Sequence, residues 1–200
     1  PKARVTLDPN GAWSLAEDGF RSAIELLGDQ ADLDVRAQAR ATIGLGRALH
    51  HQGRLADAER VLDDALRLAR RARLAIELAE AALCLVGRAG RGATTRSDAE
   101  QCALLEEALR GVTVEPPADE APEHARRREA LAGEVEAELA LALALSAPIE
   151  RRRELVDRSL ARAEALEPRD DRLLAHALFG ARSVRLDADE LDQRVADATR

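Results

Sequence analysis

Aromatic side chains are almost missing from this chain, which has one Trp, two Phe and no Tyr among 200 residues. Strands draw on aromatic and β-branched residues to cover a pleated face, so this scarcity points away from a sandwich or barrel and toward packed helices. Cysteine is confined to Cys84 and Cys102, with no C-x-x-C and no His at ligand spacing. A disulfide framework and a zinc site therefore lack their parts, and the pair reads as two buried thiols in a reducing cytoplasm. Met is absent and Lys occurs once, at Lys2. That bias to Arg suits a GC-rich bacterial gene, and a start at Pro1 without Met reads as a segment of a longer protein. No apolar run approaches the roughly 20 residues that span a bilayer; the longest, Leu139 to Ile149, is broken by Ser146 and Pro148. No signal-peptide pattern opens the chain. Basic charge is also short, with 30 Lys and Arg against 37 Asp and Glu, a net charge of −7. A nucleic-acid clamp needs a basic face to displace counterions, so this segment is not expected to contact nucleic acid.

What is present is Leu, Ala and mixed charge, with 46% hydrophobic residues, enough for one domain or one continuous array. The most ordered stretch runs from Leu45 to Leu68. Leu45 and Leu49 lie one turn apart, Gly53 ends a first helix, and Leu55, Ala58, Leu62, Ala65 and Leu66 form a helical stripe on a second. Gly46, Ala58 and Ala65 fall where two antiparallel helices would cross, which favours close backbone approach. These residues resemble a tetratricopeptide repeat: Leu45-Gly46, Leu49, Gly53, Ala58, Leu62 and Ala65 match its pattern in order. The departures are Thr42 where the family usually has Trp and Arg70 where it usually has Pro.

Taken in order, Ser14 to Glu17 has capping-box spacing and predicts a helix from there to Leu27, stopped by Gly28. Its Ala16, Phe20, Ala23 and Leu26 repeat the spacing of Ala58, Leu62, Ala65 and Leu68, so 12–27 reads as the second helix of a repeat. The best pair occupies 33–70. A degenerate repeat follows over 74–111, with Gly87 to Gly92 as a link and a second capping box at Ser97 to Glu100. Residues 113–122 hold three prolines and form a loop. A repeat with a long Ala-rich first helix spans 121–167, and a terminal pair spans 170–200. The expected fold is all-α: about nine helices in an α-solenoid of antiparallel pairs, one tetratricopeptide-like domain over 1–200.

Chemistry is hard to find. Gly87-Arg88-Ala89-Gly90-Arg91-Gly92-Ala93-Thr94 imitates a phosphate loop, but Ala93 stands where Lys must reach the phosphates and a helix precedes it. Gly44-Leu45-Gly46 lies within a helical pattern, which excludes a dinucleotide fingerprint. His50, His51, His124 and His176 belong to no metal or triad motif. The many carboxylates have the spacing of solvated helix faces. No catalytic residue, metal or cofactor is expected. One stripe stands out: Arg40, Ile43, Arg47 and His51 share a narrow arc opposite Thr42, Leu45 and Leu49. In a tetratricopeptide repeat that arc lines the concave groove, where two arginines could grip a carboxylate; the plainer alternative is solvation or pairing with acids on the next helix.

At family level the chain resembles the helical-repeat regions of large bacterial transcriptional regulators of the signal-transduction ATPase type, LuxR-like ones included. The carrying residues are Leu45 to Leu68 and a tail, Asp171 to Gly180 followed by Asp189 to Val195. The resemblance implies a non-catalytic cytoplasmic domain that senses a small inducer or a protein segment in its groove, and acts on attached ATPase and DNA-binding modules. A free-standing scaffold or co-chaperone binding peptides is the alternative.

Overall fold

The computed structural model describes residues 9–28, 34–86, 95–114, 120–184 and 195. Among them are eight α-helices, one 3-10 turn and no strand. The helices are α1 (Pro9–Gly28), α2 (Val35–His51), α3 (Leu55–Ala72), α4 (Ala75–Val86), α5 (Asp98–Thr113), α6 (Pro122–Ala142), α7 (Ile149–Ala165) and α8 (Asp171–Val184), with the 3-10 turn at Leu143–Leu145. The all-α expectation holds. The expected link at Gly87 to Gly92 and, apart from Val195, the last helix beyond Asp187 lie outside the described residues. The chain divides into two compact units, 1–94 and 95–200.

In the first unit each helix packs on its chain neighbour, and α2 also touches α4. Asp34 opens α2 by accepting from the Arg36 amide at 3.0 Å. Gly53 closes the turn after α2 with φ +76, and the Arg54 amide reaches back to the Leu49 carbonyl at 3.0 Å. The same closure recurs after α3, where the Leu74 amide meets the Ala69 carbonyl at 2.9 Å; there the left-handed residue is Arg73, at φ 55. The first turn carries a glycine; the second falls at the expected break between 70 and 74 without one. Between α2 and α3, Leu49, Leu62 and Leu66 are each 1% exposed. Burying each such side chain contributes about 1.5–3 kcal/mol. Gly46 makes the close approach: a Cβ there would stand 2.6 Å from Leu62 Cγ. Gly44, on the other side of α2, does the same for the ring of Phe20 from α1.

One expected boundary is wrong. Ser14 and Glu17 do not cap α1, which begins at Pro9 and carries both residues in its interior. Glu17 is held instead by distant groups, accepting from Gln52 Nε2 at 2.8 Å and Arg54 Nη1 at 2.7 Å.

In the second unit α6 is the hub, packed against α5, α7 and α8. The Ser97 and Glu100 box does cap α5: the Ser97 amide donates to Glu100 Oε2 at 2.8 Å and the Glu100 amide to Ser97 Oγ at 3.4 Å. Arg128 of α6 fastens the end of α5, donating to the Val112 and Val114 carbonyls at 3.3 and 3.1 Å and to Glu120 at 2.8 Å. The Leu139 to Leu145 alternation is helical through Ala142 and tightens to the 3-10 turn only at its end. Every residue from Ala130 to Ala140 is buried, because three helices cover this one. Gly133 admits α7 and α8: Ser159 Oγ donates to its carbonyl at 2.8 Å, and Leu173 lies 3.0 Å from where its Cβ would be.

Candidate functional site

The four residues expected to line a groove share α2, where Arg40, Arg47 and His51 are exposed and Ile43 is not. Ile43 is 3% exposed and belongs to the core. Arg40 donates from Nε to Glu77 Oε1 of α4 at 3.0 Å. Arg47 places Nη2 3.5 Å from Cys84 Sγ, also on α4. His51 stacks on Trp13 of α1, the ring centroids 4.0 Å apart and the planes 11° from parallel. Three of the four thus stay at the surface while touching a neighbouring helix, and the plainer alternative describes Arg40: it pairs with an acid on α4. Burial, with the His50 and Arg47 charges, holds the His51 imidazole below its ordinary pKa. Cys84 is half-buried rather than buried, while burial pushes the Cys102 thiol up.

The reason Arg40 is tethered is Glu77, which is 1% exposed. An ionised carboxylate removed from water requires a cation or several donors. Arg36 and Arg40, one turn apart on α2, supply both from the half-exposed surface, at 3.6 and 3.0 Å. This device recurs. Glu136 of α6, 1% exposed, receives Arg158 Nε at 2.9 Å and Arg162 Nε at 3.0 Å, again one turn apart, on α7. Glu134 and Glu138 face α8, where Arg172 Nη2 stands 3.3 Å from the first and His176 Nε2 2.8 Å from the second. The carboxylates read as solvated helix faces therefore include five that are buried: Glu17, Glu77, Glu134, Glu136 and Glu138. Their signal was present as cations at i and i+4, namely Arg36/Arg40, Arg158/Arg162 and Arg172/His176. Which helix such a pair faces is a tertiary fact that spacing alone does not carry.

The second unit also has a cleft of about 300 Å³ over α6, between α5 and α7. Leu109, Leu139 and Leu155 give it apolar surface, and Glu106, Arg110, Arg151, Glu154 and Arg158 give it charge. Arg151 Nη2 donates to Glu106 Oε1 at 2.8 Å, and Arg158 is spent partly on Glu136. One turn further along each wall stand Arg110 and Glu154, neither of which has a partner among the described residues. A small concave space with apolar walls and a few convergent polar groups is the usual form of a ligand site. Sequence reasoning missed it because its residues come from three helices, and each looks alone like a solvated charge or a core leucine. Among the described residues, no three His, Cys, Asp or Glu side chains gather as a metal-holding set.

No family model matches the chain. No curated protein matches it either. Among solved structures the chain is similar to BtubC (BKLC) from P. vanneervenii, with a TM-score of 0.67 and 16% sequence identity over 95% of this chain and 72% of that one. At that identity the likeness is one of fold, and it fits the all-helical architecture described above.

Proposed function

We propose that this chain is a non-catalytic ligand-sensing and protein-interaction domain of the tetratricopeptide kind, working within a bacterial transcriptional regulator on attached ATPase and DNA-binding modules. The regulator context rests on the resemblance of Leu45 to Leu68 and of the tail from Asp171. The observation that carries a binding role is the α5–α6–α7 cleft, which joins apolar surface to charges that the fold itself leaves unused. A ligand spanning α5 and α7 would favour one packing of these helices on α6, and through that difference in affinity would bias whatever is attached. Such a domain works in the cytoplasm, where its thiols stay reduced; among the described residues no helix is long and apolar enough to cross a membrane.

A thermal-shift screen of metabolites and blocked peptides against the whole chain tests this reading. A ligand at one hundred times its Kd adds about 2.7 kcal/mol, which raises Tm by roughly 5–10 °C in a chain of this size. The shift should vanish in Leu109→Glu, which puts a charge on a half-buried cleft residue, and persist in Arg47→Ala. No stabilising compound of any class, or one lost in Arg47→Ala and kept in Leu109→Glu, would contradict it. A second reading, a scaffold that binds protein segments, is favoured by Leu15 and Leu26, 75% and 67% exposed and three turns apart on α1. It predicts that Leu15→Ser with Leu26→Ser abolishes capture of a partner while sparing ligands of the cleft.

A further inference from the structure

The cleft offers one open charge of each sign beside three leucines. Its first rung is closed, since Arg151 and Glu106 satisfy one another at 2.8 Å. Arg158 is drawn toward Glu136 at 2.9 Å. The next rung is open: Arg110, in the last turn of α5, and Glu154 of α7 line the same space and form no ion pair. Leu109, Leu139 and Leu155 line the same space. The volume, about 300 Å³, is at the lower end of the range for ligand cavities.

We propose that this cleft binds a small zwitterion with an aliphatic body, of the free branched-chain α-amino acid class. The ligand carboxylate meets the Arg110 guanidinium, whose fork suits it bidentately. The ammonium meets the Glu154 carboxylate, and the aliphatic side chain lies on the three leucines. A simple anion would leave Glu154 as an unmatched like charge, and a simple cation would leave Arg110 so. A blocked peptide carries neither terminal charge. This assignment rests on the cleft being the recognition site.

The test is calorimetric titration of the whole chain with leucine, leucinamide, which lacks the carboxylate, and 4-methylpentanoate, which lacks the ammonium. Leucine should bind roughly tenfold or more tightly than either analogue, the usual scale of one charge-assisted hydrogen bond. Arg110→Ala should weaken leucine by a similar factor and leave leucinamide unchanged. Glu154→Gln should weaken leucine and leave 4-methylpentanoate unchanged, so that each variant and its analogue close a cycle. Arg110 and Glu154 are both exposed, which keeps the variants folded. Analogues that bind as tightly as leucine, or leucine binding unaltered in Arg110→Ala, would overturn the proposal. If another metabolite or a peptide stabilises the chain and is lost in Leu109→Glu, the zwitterion falls and the recognition site stands. If no ligand responds to Leu109→Glu, both fall.

Discussion

At Gly46 a hydrogen in place of a side chain decides how closely α2 and α3 pack. Alanine there gains about 1 kcal/mol of helix propensity. Its Cβ would meet Leu62 at 2.6 and 2.7 Å, and such overpacking costs about 1–3 kcal/mol. Gly46→Ala should therefore lower Tm by roughly 2–4 °C, whereas Gly19→Ala, with nothing within 4 Å of its Cβ, should raise it by a similar amount. Differential scanning calorimetry checks both, and a Gly46→Ala chain as stable as the parent would refute the close approach. This contact was legible beforehand, because small and large residues alternate with helical spacing on both sides of one short turn. Glu17 was not legible. Its local spacing from Ser14 fits a cap, yet its partners Gln52 and Arg54 lie in the turn that follows the next helix.

His51 supplies a second test on the same scale. Its depressed pKa means that the folded chain favours neutral imidazole, so stability linked to this residue is present above the unfolded value of 6.5 and is lost as pH falls below it. Trp13, the only Trp in the chain, stacks on that ring and reports its state. Lowering pH from 7.5 to 5 should quench or shift the Trp13 emission, and His51→Ala should remove the dependence. Emission that titrates identically in His51→Ala would show that another group is responsible.

Between elements, the recurring contact is a buried carboxylate on one helix held by two cations a turn apart on its neighbour. The two sides of such a clamp are not equivalent. Glu136 is buried, while the side chain of Arg158 is 52% exposed and that of Arg162 25% exposed. Removing both arginines strands a charge in the interior, which costs about 3–5 kcal/mol. Replacing Glu136 by Leu instead frees two guanidiniums that can reach water, and such swaps are often neutral or stabilising. Urea unfolding should therefore show Arg158→Ala with Arg162→Ala losing at least about 2 kcal/mol more than Glu136→Leu. Equal losses would mean that the clamp is not what holds α7 on α6. Sequence order and helix limits followed from caps, glycines and prolines such as Ser97, Gly53 and Pro122. The clamps did not, because a glutamate among alanines on α6 looks amphipathic until three helices are seen to cover it.

Across the whole molecule, a net charge of −7 coexists with an interior that consumes many of its arginines. Arg36, Arg40, Arg54, Arg158, Arg162 and Arg172 each approach a buried carboxylate within 4 Å. Of the expected groove residues, Arg40 is one of these, so part of its charge is already committed to Glu77. Charges left unused gain weight by contrast, and Arg110 and Glu154 are two that line one cleft together with three leucines. Amide NMR of the isotopically labelled chain during a leucine titration tests that conclusion most directly. Resonances of Leu109, Arg110, Glu154 and Leu155 should move together and saturate with one Kd, while those of Arg40, Arg47 and His51 stay in place. Shifts centred on α2, or no saturating shift at all, would contradict it.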